Sequence, residues 1–79
     1  MAGYTRHLYG LMKKAGAETS QENRTLLDRV IREVLGMPRN PEEEVWEKVK
    51  KIYLGPDSPL KKEFEQRTVK LMIKYLLTG

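Results

Sequence analysis

The sequence predicts an all-α fold, a compact four-helix domain, and three observations predict it. Apolar residues recur at helical spacing, roughly 100° per residue, in four separate stretches. The last three stretches open on residues suited to capping a helix, and the first three are followed by glycine at Gly16, Gly36 and Gly55. No segment alternates with period two, so no strand is expected. The helices are read at about 3–15, 20–35, 41–54 and 59–78, in a single domain covering 1–79.

Helix 1 carries Tyr4, Leu8, Leu11, Met12 and Ala15 on one face, while Arg6, Tyr9 and Lys13 share the opposite one. Gly10 in its interior costs about 1 kcal/mol relative to alanine, so a short or frayed helix is expected there. Helix 2 opens at Thr19-Ser20, where Thr19 and Glu22 have the spacing of a capping box. Its apolar stripe is Leu26, Leu27, Val30, Ile31, Val34 and Leu35. Helix 3 is read as capped by Asn40, with Pro41 at its first position and Glu42, Glu43 and Glu44 complementing the positive end of the helix dipole. Val45, Trp46, Val49, Ile52 and Tyr53 make its apolar face, with Trp46 the expected anchor of the core. Ser58 and Pro59 start helix 4 in the same way.

Helix 4 is expected to be the central post. On its first half, Leu60 and Phe64 continue into Leu71 and Tyr75 as one apolar face. From residue 69 onward a neighbouring second face appears, formed by Val69, Met72, Ile73, Leu76 and Leu77. Lys70 and Lys74 keep a wet edge. A helix apolar nearly all round is normally buried, so this second face is either covered by the other helices or serves as a docking surface.

Composition excludes several function classes. The chain has no cysteine and one histidine, which leaves no disulfide framework, no thiol nucleophile and no His- or Cys-rich metal site. His7 has no candidate nucleophile or second carboxylate beside it in sequence and reads as a boundary histidine. There is no phosphate-binding glycine loop. No catalytic residue, cofactor, metal or small-molecule substrate is expected, and the protein is read as not an enzyme. No run approaches the roughly 18 apolar residues of a membrane span, and no apolar run follows a basic start as in a signal peptide. A cytoplasmic location is expected.

The run Arg6-His7-Leu8-Tyr9-Gly10-Leu11 resembles the Leu-Tyr-Arg opening of small mitochondrial three-helix assembly factors. Gly10 stands where that family has arginine, and the basic residues of the later helices are mixed with acids, so no site is carried over from it.

The function expected from these residues is a binding or assembly module. It would associate with a protein partner, or with itself as a dimer, through Val69, Met72, Ile73, Leu76 and Leu77. The alternative is DNA or RNA binding, which the net charge of +4 favours only mildly. Arg6, Tyr9, Lys13 and Lys14 on helix 1, with Lys62, Lys70 and Lys74 on helix 4, would then contact phosphates and stack a base.

Overall fold

In the computed structural model, which describes residues 3–78, glycine ends the first two helices as read from the sequence, whereas the third ends on the cap residue Leu54, one residue before Gly55. A 3₁₀ helix, Gly3–Leu8, runs directly into α1, Tyr9–Lys14; α2 spans Gln21–Leu35, α3 Glu42–Tyr53 and α4 Pro59–Thr78. The first helix is therefore shorter than its apolar pattern suggests, and it is tightened before Tyr9. Gly16 and Gly36 adopt left-handed φ values of 75° and 70°, a region that side chains with a Cβ avoid. Both close their helices with the same pair of bonds. Ala17 N–H donates to Met12 and Gly16 N–H to Lys13, as Met37 does to Arg32 and Gly36 to Glu33.

Two caps differ from the sequence reading. Helix α2 is capped by Ser20, whose side chain accepts from Asn23 N–H at 3.2 Å, while Asn23 Nδ2 reaches back to the Glu18 carbonyl at 2.9 Å. The capping contacts thus come from Ser20 and Asn23 rather than from a reciprocal pair of Thr19 and Glu22, and the helix begins one residue later. At α3 the side chain of Asn40 donates to Glu44 at 3.0 Å instead of capping the backbone. Pro41 takes the cap position, its carbonyl accepting from Glu44 and Val45. Ser58 caps α4 as expected, its hydroxyl accepting from Lys61 N–H at 3.3 Å.

Helix α4 packs on α1, α2 and α3 in turn and is the post of the domain. Its inward side is Phe64, Thr68 and Met72, one residue per turn. These meet Leu11 and Met12 from α1, Leu27, Val30 and Ile31 from α2, and Val45 and Val49 from α3, all buried. Leu60, expected in the core, is instead 64% exposed, because the core face of α4 begins one turn further on at Phe64. Thr68 sits fully buried at the middle of this face, and its hydroxyl has no hydrogen-bond partner among the described residues.

The 3₁₀ segment is held by polar contacts as well as by packing. Tyr4 Oη donates to Asp28 Oδ1 at 2.5 Å, Arg32 Nε donates to Asp28 Oδ2 at 3.0 Å, and Arg32 also donates to the Asn40 carbonyl. Tyr4 N–H donates to Glu42 at 3.3 Å. Trp46 lies at the edge of the core and does not anchor its centre. Tyr4 stacks on one side of its surroundings at 5.8 Å, His7 at 5.3 Å, and the Lys50 ammonium sits 5.5 Å from its ring. His7 is thus a stacking residue on Trp46.

Two outcomes follow for stability. Burial, and then the hydrogen bond to Asp28, hold the Tyr4 phenol above its ordinary 10.0. A raised folded-state value means the contribution is fully present below pH 10 and is lost as the pH climbs above it. Alkaline unfolding should steepen there by up to about 1.4 kcal/mol per pH unit, and Tyr4→Phe should flatten that limb in a urea-denaturation pH series while lowering stability at neutral pH. Thr68→Val removes a buried hydroxyl that lacks a partner while keeping its shape. It should raise stability by about 1 kcal/mol in the same denaturation assay.

Candidate functional site

A helix of 20 residues rises about 30 Å, and the longest dimension of the domain is 31 Å, so α4 runs its full length. The six residues of α1 rise about 9 Å. A post longer than its neighbours keeps part of its surface open, and in its C-terminal half the open part is the side turned away from the core. With Thr68 pointing into the core, Ile73 and Leu77 lie roughly 140° and 180° round the helix from it. They are 37% and 82% exposed, and Leu76 is 38% exposed.

The five residues expected to form the second face separate accordingly. Ile73, Leu76 and Leu77 are exposed, Val69 is half-buried against the core, and Met72 is fully buried. Met72 belongs to the inward row one turn after Thr68, so it drops out of the surface. The sequence placed it wrongly because the wheel, centred on Leu60 and Tyr75, rotated the core face away from Thr68, a polar residue that reads as outward-facing.

Ile73 and Lys70 form a ridge between two grooves. On one side, α2 and α4 leave an open trough of about 640 Å³ lined by Val34, Leu71, Ile73 and Leu77, with Arg67, Lys70, Lys74 and Thr78. Its wall is almost wholly apolar, so the three cationic side chains contribute mainly their aliphatic stems to it. On the other side, Lys14, Lys62, Glu65 and Gln66 join Val69, Lys70 and Ile73 around a more polar groove. Val34, half-buried near the end of α2, is the trough residue that the sequence assigned to the core stripe and not to a site. No sequence signal could have found it, since its role depends on α2 lying beside the end of α4.

Near the trough, α4 is tied to α2 by Tyr75. Its hydroxyl donates to Glu33, with the two carboxylate oxygens at 2.8 and 2.9 Å, and the Arg29 guanidinium lies 5.1 Å from the ring centre. The hydrogen bond to Glu33 holds the Tyr75 phenol above its ordinary value.

The basic constellation is dispersed. Tyr9 is half-buried against the core and its hydroxyl accepts from Arg24 at 3.4 Å. Lys14 is paired with Glu65. Arg6, Lys13, Lys62, Lys70 and Lys74 are exposed, and none of them is in an ion pair among the described residues. Three of these five lie on α4 and border the grooves, whereas Arg6 and Lys13 lie on the 3₁₀ segment and α1. The described residues hold no cluster of three or more His, Asp or Glu side chains that could bind a metal, and no helix among them is long and apolar enough to cross a membrane.

Comparison with protein families, characterised proteins and solved structures finds no match to this chain.

The burial difference along α4 gives a direct check of this surface. Leu77→Asp should leave folding stability within about 0.5 kcal/mol, as an exposed site does, while Met72→Ala should cost about 2–5 kcal/mol. Chemical denaturation of the two variants side by side measures both.

Proposed function

We propose that this chain is a non-catalytic docking module that associates with protein through the C-terminal half of α4. One observation carries the reading. Ile73, Leu76 and Leu77 stand exposed beside a trough walled by Val34 and Leu71, on a helix whose other side already supplies the core. Contiguous apolar surface of this kind costs solubility when left bare, and in monomeric proteins it commonly marks an interaction site. The site is built on two helices, which are joined by the Tyr75–Glu33 contact and stopped at fixed points by Gly36 and by the Ser58 cap.

The test is photo-crosslinking in the cell of origin, with a photoreactive residue at position 77 and, as control, at the exposed position 60 at the far end of the same helix. A discrete product should form from position 77, should be missing from position 60, and should be lost in Ile73→Glu. A product of twice the chain mass, together with light scattering that shows Ile73→Glu to be a folded monomer, identifies self-association. Equal products from both positions, or none, overturn the reading. Retention of mixed nucleic acid at low salt that Arg6→Glu with Lys13→Glu abolishes would transfer the function to nucleic-acid binding.

A further inference from the structure

The trough between α2 and α4 has a charge pattern that selects its occupant. Helix α4 carries no carboxylate after Glu65, while Arg67, Lys70 and Lys74 follow along its length. Arg67 is neutralised by Glu63 at 2.9 Å, but Lys70 and Lys74 have no ion-pair partner among the described residues. Glu33, the carboxylate on α2 that contacts α4, accepts from Tyr75 and is balanced by Arg29 at 3.8 Å. The apolar wall is therefore bordered by ammonium groups with no counter-charge of their own. We propose that this trough receives an amphipathic helix of a partner protein whose apolar stripe is flanked by carboxylates, an inference that rests on the docking reading above.

Shape and charge both point to that class. The lining residues of α4 run from Arg67 to Thr78, a rise of about 16 Å, which matches the roughly 10 Å spanned by anchors at i, i+4 and i+7 of a docked helix with room at each end. Val34, Leu71, Ile73 and Leu77 would take those anchors. Lys70 and Lys74, spaced one turn apart, would meet carboxylates spaced in the same way. A second copy of this chain fits less well, because a symmetric contact through this face brings the Lys70 and Lys74 of both molecules into one dry interface with no acid from either strip.

The experiment uses the full chain and two synthetic helical peptides with the same leucine stripe, one flanked by glutamate and one by lysine, with fluorescence anisotropy as the readout. The acidic peptide should bind saturably, more weakly as salt rises, and the basic one should not. Leu77→Asp should abolish binding. Lys70→Glu with Lys74→Glu, confirmed folded by circular dichroism, should bind the acidic peptide about tenfold more weakly and should now accept the basic one. Equal binding of both peptides, lost in Leu77→Asp, overturns the acidic partner and leaves the docking surface standing. Self-association that Leu77→Asp abolishes and the acidic peptide does not compete with assigns the trough to a second copy and overturns the proposal. Leu77-dependent binding of phosphatidylglycerol vesicles without peptide binding assigns it to a membrane and does the same. If neither peptide binds and Leu77→Asp changes no measurement, the inference and the docking reading fall together.

Discussion

The tertiary structure runs through one helix. Each of α1, α2 and α3 packs on α4, and the strongest pairings between helices all include it. A chain of 79 residues has apolar material for one small core, and the packing concentrates it on a single row, Phe64, Thr68 and Met72, met from three sides. That arrangement is economical in side chains and costly in one place. The middle of the row must be small enough for three neighbours to approach, and it is filled by Thr68, whose buried hydroxyl has no partner. Helix α4 thus accepts a desolvated polar group at the point where the other helices converge.

What α4 does not join, a polar chain does. The 3₁₀ segment reaches α2 through Tyr4 and Asp28, and the same aspartate holds Arg32, which donates to the turn before α3 at Asn40. Glu42 at the first residue of α3 closes the loop by accepting from the Tyr4 backbone. Trp46 and His7 stack over this corner. The corner is only partly buried, so its hydrogen bonds are reinforced by low local dielectric without the full penalty of burying an ion pair. Its work is positional: it fixes the 3₁₀ segment against α2 and the start of α3, while α1 meets the first half of α4 at Lys14 and Glu65.

Most of this fold could be read from residue order, and the misreadings share a cause. Helix number, type and approximate ends followed from apolar spacing and from Gly16, Gly36 and Ser58, because capping chemistry is local and needs no tertiary knowledge. Thr19 and Asn40 were misassigned within one residue of the true cap, where neighbouring Ser20 and Pro41 compete for the same backbone groups. The larger error concerned rotation. Periodicity gives the width of an apolar face, whereas its centre depends on what packs against it. A buried threonine at position 68 and an exposed leucine at position 60 shifted that centre and moved Met72 from surface to core. Ile73, Leu76 and Leu77 survive as surface, while Val34 joins them only because α2 lies alongside.

The open strip lies on the side of α4 turned away from Thr68, beside the end of α2. The stop at Gly16 limits α1 to about 9 Å, less than a third of the rise of α4. An unselected overhang would be expected to be polar, as the outward positions Gln66, Lys70 and Lys74 are. Instead the overhang alternates those polar positions with Ile73 and Leu77, and borrows Val34 to make a wall. Apolar residues on the far side of a helix add nothing to this core, and bare apolar surface favours aggregation. If the strip docks the acidic helix proposed above, the flanking lysines would both oppose contact between copies of the chain and attract that partner. On that proposal the same two side chains would serve both solubility and discrimination.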